Sequence, residues 1–330
     1  MTTSRSTPIA GILFAVMATL AWALNFIAPY VTSPYSIYDL MVIRYLIAGA
    51  LGVLGVMLCR AQRRSLRFSQ QVLAAGLGVI GYLGYGSCIA AGVIFGGPVL
   101  AAAFVGLVPV LLALLGNAKE KTVQWRRLGL PLLFIVLGLV LSNISSVALP
   151  HADSASWLAG VFFSVLAVAL WLTFSLLNQR AMGKIAPAAT SAWTGLMMAG
   201  AGLATLCVLP LLHSLGLLEL TSASFGFTTA ARFYAWGLVL AVVSSVIGAW
   251  AWNAATRRLP MVLSGQLISL ESLFAALLGL LFNARLPTVI ETSGLIAVIT
   301  GAGLAVHSIL TQEHSNARTY PNAQSNNRGR

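Results

Sequence analysis

Long apolar runs recur from one end of this 330-residue chain to the other. Each run is about 20 residues long, the length that an α-helix needs to cross the hydrocarbon core of a bilayer. The runs are continuous and rich in Leu, Ala and Gly, whereas the strands of a membrane β-barrel alternate between apolar and polar residues. The pattern therefore predicts an all-α membrane protein with ten transmembrane helices, at 9–29, 36–59, 71–94, 98–117, 128–147, 157–179, 188–212, 233–255, 260–282 and 289–311.

The distribution of charge predicts how these helices cross the membrane. Only 8% of the residues are charged, against roughly 25% in a soluble domain. With the N-terminus in the cytoplasm, all but three of the 19 Lys and Arg residues fall on the cytoplasmic side, the exceptions being Arg232, Arg285 and the intramembrane Arg44. Cytoplasmic loops carry such an excess of basic residues. We therefore expect both termini in the cytoplasm and a bacterial-type inner (plasma) membrane location.

This placement of charge also limits the partners. The net charge of +12 is explained by the membrane topology, so we expect no nucleic-acid partner. The expected partners are a small-molecule substrate and the lipid bilayer. Cys59, Cys88 and Cys207 lie far apart inside predicted spans, and no CxxC motif occurs. We expect a monomer with no metal and no cofactor.

Segments in the first half of the chain resemble segments in the second half. The stretch GILFAVMATLAWALNF, beginning at Gly11, aligns with GVFFSVLAVALWLTFS, beginning at Gly160, and PVLLALLG (109–116) aligns with SLFAALLG (272–279). This alignment predicts a first five-helix repeat at 1–150, a second at 151–311 and a disordered cytoplasmic tail at 312–330. Because five is odd, the second copy enters the membrane from the opposite side. Inverted repeats of this kind are typical of transporters with a midplane substrate site.

Several ordered motifs resemble those of the drug/metabolite transporter superfamily, EamA-type. They are AWALNF (21–26), Arg44 in VIRYLIAG, AAAFVGLVPVLLALLG (101–116), WNAATRRLP (252–260) and SLESLFAALLG (269–279). Within that superfamily, the distribution of aromatic residues is most similar to the aromatic amino acid exporter (YddG-type) branch. The resemblance implies a secondary transporter that works by alternating access. Ser272 departs from the pattern, since proline is common at that position and would break the helix there.

Polar groups are costly inside a membrane and usually face the interior of the bundle. Glu271 is the one acidic residue deep in a predicted span. It could couple protons or bind a substrate ammonium group, or it could be a protonated side chain that bonds a neighbouring helix. Arg44 lies near Asp39, and we expect it to reach the membrane surface or pair with an acid.

Side chains at helical spacing supply the other candidates. Trp22 and Asn25 share one face of the first span, and Trp171 with Asn178 forms a similar face on the sixth. Tyr82 and Tyr85 lie in the middle of the third span, and the equivalent positions of the repeat in the eighth span are Ser245 and Gly248, which are smaller. Gln266 lies about 140° around the helix from Glu271. The predicted substrate or cavity residues are Trp22, Asn25, Tyr82, Tyr85, Trp171, Asn178, Ser245, Gln266 and Glu271.

The favoured function is a secondary transporter, exporter or facilitator, of small organic solutes, with amino acids including aromatic ones as the expected class. Another drug/metabolite exchanger or a nucleotide-sugar-type exchanger of the same superfamily is the alternative, although phosphate groups would call for more intramembrane cations than Arg44. A channel lacks the expected ring of like charges. An enzyme is not expected, because the sequence contains no catalytic motif such as HExxH.

Overall fold

The computed structural model describes residues 6–144, 154–220 and 226–319, and these ranges contain helices and no strand. In this part of the chain, nine helices are long and apolar enough to cross a membrane. They are α1 (Pro8–Ile27), α2 (Ile37–Leu58), α3 (Phe68–Gly97), α4 (Leu100–Glu120), α6 (Ser156–Met182), α7 (Pro187–Ser214), α8 (Ala230–Thr256), α9 (Met261–Phe282) and α10 (Val289–Thr311). The prediction of a helical membrane fold is confirmed at this level.

A further helix, α5 (Trp125–Ile144), lies where the fifth span is predicted. It begins with the charged pair Arg126 and Arg127, and the predicted span 128–147 runs past Ile144 into residues outside the described ranges. The predicted boundary between the repeats, at 150 and 151, falls outside those ranges as well. The helix that contains α10 continues to Thr319, so the predicted tail begins as helix at 312, while 320–330 are not described.

Helices from the first part of the chain pair with helices from the second. The most extensive contacts join α1 with α8, α2 with α7, α3 with α6, α4 with α9 and α5 with α10. Each pair contains one helix from before residue 145 and one from after residue 153. The two parts of the chain therefore share one helical bundle rather than packing as separate units.

Close approach between these helices depends on small residues. A Cβ atom added at Gly49 in α2 would lie 2.7 Å from the Cα atom of Gly202 in α7, and one at Gly138 in α5 would lie 2.5 Å from a methyl group of Val298 in α10. Lipid tails are as apolar as leucine, so helices in a membrane associate through such close van der Waals contact. These glycines allow the backbones to meet.

Several helices depart from regular α geometry at the centre of the bundle. Val79–Gly84 in α3 and Leu240–Ile247 in α8 are π-helical, and α1 ends in a 3₁₀ turn at Leu24–Ile27. Helix α9 is interrupted at Ile268, whose carbonyl accepts a hydrogen bond from the Glu271 amide three residues later. The helix continues through Ser272, so the interruption lies one turn before the position where the superfamily resemblance would place it.

Candidate functional site

Aromatic rings from four helices meet next to these irregular segments. The Trp22 ring centroid lies 5.3 Å from that of Trp171 and 5.3 Å from that of Trp252, and the Tyr85 ring lies 4.7 Å from Trp171. Aromatic pairs at such separations contribute about 0.5–1.5 kcal/mol beyond their buried area. Helices α1, α3, α6 and α8 are thus joined by one aromatic cluster.

Phe174 extends this cluster towards Tyr82. Its ring centroid lies 5.1 Å from Trp171 and 5.6 Å from Tyr82, and it fills the space left by the missing side chain of Gly81. The structure therefore brings together four of the predicted site residues, Trp22, Tyr82, Tyr85 and Trp171.

The cluster contains polar atoms without hydrogen-bond partners. The Tyr82 hydroxyl and the indole nitrogens of Trp171 and Trp252 are buried and make no hydrogen bond with any residue that the structure describes. Buried polar groups are almost always paired, so each exception needs an explanation. A bound ligand or water that accepts hydrogen bonds would provide one.

Arg44 lies beside the cluster at the centre of a polar group. Its guanidinium donates to Ser245 Oγ at 2.7 Å, to Asn25 Oδ1 at 2.8 Å and to Ser244 Oγ at 3.1 Å. The Ser244 hydroxyl also donates to Asn25 Oδ1. This polar group joins α1, α2 and α8, and it contains the predicted residues Asn25 and Ser245.

The expectation that Arg44 pairs with an acid or reaches the membrane surface is wrong. Arg44 is buried, and Asp39 accepts hydrogen bonds from the backbone amides of Ser36, Glu219 and Leu220 instead. Asp39 is therefore used to cap α2 and to hold the chain segment before α8. The guanidinium is turned into the bundle, where all three of its hydrogen-bond acceptors are neutral.

Glu271 is the nearest candidate for a counter-charge, but it does not touch Arg44. The Glu271 carboxyl group lies within electrostatic range of the Arg44 guanidinium and of Tyr85. Within the part of the chain that the structure describes, its side chain makes no hydrogen bond and no ion pair within 4.0 Å of Arg44. Among the described residues, the site therefore holds a cation without a paired anion and a carboxyl group without a hydrogen-bond donor.

Two predicted residues lie in other surroundings. Asn178 is fully buried, donates to Asn253 Oδ1 at 2.7 Å and accepts from the Trp193 indole at 3.0 Å. Asn253 donates in turn to Thr194 Oγ1 at 2.8 Å. This network connects α6, α7 and α8, so the described contacts of Asn178 are all with neighbouring helices.

Gln266 and Glu271 lie in different surroundings. Gln266 lines a small cavity together with Arg127 of α5 and Ser308 of α10, and Glu271 does not line it. The angular separation along α9 explains this division, and the interruption at Ile268 does not bring the two side chains to one face.

Three residues of the site were not predicted. Ser244 completes the polar group around Arg44, Trp252 completes the aromatic cluster, and Asn253 is the partner of Asn178. The available signals were the adjacent pair Ser244–Ser245 in an otherwise apolar run and the motif WNAATRRLP, which contains both Trp252 and Asn253.

The fold and its buried polar centre define a multi-pass membrane protein. The chain is 27% identical over 311 residues to "Inner membrane protein YtfF" of Escherichia coli (strain K12), a match that covers 91% of this chain and 96% of that protein. The predicted inner-membrane location is confirmed by this relative together with the nine apolar helices.

The fold is shared with a protein of known structure. A solved structure described only as "Crystal structure of protein" matches this chain with a TM-score of 0.71 and 19% sequence identity. The match covers 92% of this chain and 97% of the chain in that structure. At that identity the match shows a common fold. No family model matches the chain.

Proposed function

We propose that the protein is a secondary transporter of the drug/metabolite transporter type that moves small organic solutes, in particular amino acids including aromatic ones, as an exporter or facilitator. The sequence motifs of that superfamily and the similarity to an inner-membrane protein support the assignment to a membrane transporter. The chemistry of the central site supports the proposed substrate class.

The observation that carries the proposal is the separation of Arg44 from Glu271 beside a cluster of aromatic rings. A buried charge without a partner costs several kcal/mol, and Arg44 has only neutral acceptors. An amino acid brings a carboxylate for Arg44 and an ammonium group for Glu271. Its side chain then lies against the rings of Trp22, Trp171 and Tyr85, where an aromatic substrate gains contact.

Alternating access is supported by the pairing of the helices. If the two five-helix repeats are exchanged, the pair α1–α8 becomes α6–α3, which is also present, while α2–α7, α4–α9 and α5–α10 become themselves. The π-helical segments lie in α3 and α8, which correspond in the repeat. This pattern is the one expected for an inverted repeat whose halves exchange conformations around a midplane site.

The test is transport by the purified protein in liposomes. We expect labelled phenylalanine to enter protein-containing vesicles faster than empty ones, and other amino acids to compete more strongly than phosphorylated solutes. An absence of amino acid flux above that of empty vesicles would contradict the proposal. Stronger competition by nucleotide sugars than by amino acids would favour the alternative exchanger instead.

Arg44→Lys provides a matched control within that assay. Lysine keeps the positive charge but cannot form the three-way hydrogen bonding of a guanidinium. We expect weaker amino acid binding with preserved folding. Equal transport by the variant and the parent protein would show that Arg44 does not bind the substrate.

A further inference from the structure

A second site lies away from the central one, where the beginning of α5 meets α9 and the end of α10. A cavity of ≈ 10 Å³ is found there, with apolar walls that include Val123, Leu128 and Pro131. A volume of this size holds one water-sized atom. It is too small for a transported solute, so its ligand enters it with a single atom.

The polar groups that line this cavity can all donate hydrogen bonds. Gln266 is only 1% exposed, and its Nε2 atom has no hydrogen-bond partner. Arg127, which is exposed, and Ser308 are the other polar residues of the lining, and no Asp or Glu is among the described residues that line the cavity. The first turn of the 20-residue helix α5 lies beside it, and a helix N-terminus carries a partial positive charge.

Hydrogen-bond donors of this kind match an oxygen atom of an anion. A guanidinium, an amide NH₂ and a helix N-terminus are the groups that bind phosphate oxygens in proteins. Asn117 adds to the unpaired donors nearby: it is buried, its Oδ1 accepts from the Val123 amide, and its Nδ2 has no partner.

The surroundings indicate that the anion belongs to a lipid. Trp125 at the start of α5 is 54% exposed, as is typical of tryptophans at the level of lipid head groups. Leu130 and Leu133, one and two turns further along α5, are also exposed and offer an apolar surface for an acyl chain. Basic pockets between membrane helices bind anionic head groups in this way.

We propose that the junction of α5, α9 and α10 binds the phosphate of an anionic phospholipid, with one phosphate oxygen held by Gln266, Arg127 and Ser308. The lipid then fixes α5 and α10 to α9 at the membrane surface. The site is independent of the transport site, because it lies on the other face of α9 from Glu271.

The experiment measures lipid binding by native mass spectrometry on the full chain in detergent. The probes are phosphatidylglycerol and phosphatidylcholine with identical acyl chains. We expect the protein to retain phosphatidylglycerol preferentially, and Arg127→Gln to lower its affinity about tenfold, because one charge-assisted hydrogen bond is lost. Gln266→Glu, which keeps the volume but replaces the donor by an acceptor, should lower it as well.

Arg126→Gln is the matched control, since Arg126 is the adjacent residue and is exposed like Arg127, but does not line the cavity. It should bind phosphatidylglycerol like the parent protein. An equal loss in Arg126→Gln and Arg127→Gln would overturn the proposal, because it would show diffuse surface attraction. Equal binding of both lipids would overturn it too.

Inorganic phosphate tests whether the site binds the phosphate of a lipid head group or a free phosphate ion. It should raise the thermal unfolding midpoint of the delipidated protein by less than phosphatidylglycerol does, because the acyl chains contribute to binding. If free phosphate stabilises the protein as much as the lipid, and displaces it at equal concentration, the site binds a soluble anion and the lipid assignment is overturned.

Discussion

Arg44 makes three hydrogen bonds inside the bundle, and every acceptor is neutral. Hydrogen bonds to Asn25, Ser244 and Ser245 orient the guanidinium without cancelling its charge. Glu271 approaches from α9 but stops short of an ion pair. At the scale of single residues, an amino acid, the proposed substrate, would supply a carboxylate for Arg44 and an ammonium group for Glu271.

The contribution of Arg44 can be measured by Arg44→Gln. Removing the cation should weaken binding of amino acids at least tenfold, because a charge-assisted hydrogen bond to a carboxylate contributes about 1.5–3 kcal/mol. Amines that lack a carboxylate should be affected less. Substrate competition in liposomes measures both effects, with Arg285→Gln as a control, since Arg285 lies outside the predicted spans and bonds Glu291.

Glu271→Gln distinguishes the two roles left open for this carboxyl group. Because the Glu271 side chain makes no hydrogen bond in the structure, the amide should fit without loss of a helix contact. We expect transport to lose its pH dependence and the apparent affinity for amino acids to fall, because the neutral amide cannot pair with the substrate ammonium group, while folding is preserved. Loss of expression or a lower thermal unfolding midpoint, with the pH response retained, would show that Glu271 holds helices together instead.

Asn253 should be important for stability rather than for binding. Replacing it by alanine leaves the Asn178 Nδ2 group buried without an acceptor, and Thr194 loses its donor. Such an unpaired group costs about 1–3 kcal/mol. We expect a lower thermal unfolding midpoint and little change in substrate affinity, whereas Asn283→Ala, at an exposed position, should change neither. A change in affinity without destabilisation would place Asn253 in the transport site.

At the scale of helices, two irregular segments supply residues of the site. Residues 79–84 in α3 and 240–247 in α8 are π-helical, and they contain Tyr82 on one side and Ser244 with Ser245 on the other. π-helical turns are rare and occur often at functional sites. The extra residue per turn changes which side chains face the centre, and it brings Gly81 under the Phe174 ring.

Gly81→Ala tests this arrangement. An added Cβ atom would overlap the Phe174 ring, and overpacking of this kind costs about 1–3 kcal/mol. We expect a lower unfolding midpoint and weaker binding of aromatic substrates, because Phe174 supports both Trp171 and Tyr82. Gly76→Ala is the matched control in the same helix, since nothing lies within 4 Å of its added Cβ atom. Equal behaviour of the two variants would contradict the packing described.

The whole bundle is assembled from helix pairs that connect early and late parts of the chain. No extensive helix pair described above lies within one predicted repeat. An isolated repeat would expose the glycine-lined faces of α2, α4 and α5 and leave the Arg44 group without Ser244 and Ser245. The stability of each part therefore depends on the other.

Separate expression of residues 1–150 and 151–330 tests this dependence. Neither part alone should give a monodisperse, protease-resistant species in detergent. Co-expression should restore a complex that co-purifies, because helices inserted independently can still associate within the membrane. A stable, monodisperse product from residues 1–150 alone would contradict the interlocked arrangement.

Long apolar runs were enough to predict a helical membrane protein and the approximate position of nearly every helix. The reason is physical: backbone polar groups in lipid must bond within their own segment, so length and polarity dictate a helix. The same local information identified Trp22, Tyr82, Tyr85 and Trp171 as candidates for one site. It also predicted the opposite orientations of Gln266 and Glu271, because a regular helix separates them.

Local patterns could not show which polar side chains meet. Arg44 is bonded to Ser245 across 201 positions of sequence, and its nearest acid in sequence, Asp39, is occupied elsewhere. Asn178 lies on the helix face that was predicted, yet its bonds lead to Asn253 and Trp193. The π-helical turns and the interruption at Ile268 carry no composition signal either. These features depend on how each helix is rotated against partners that are distant in sequence, and only the packing of the complete bundle sets that rotation.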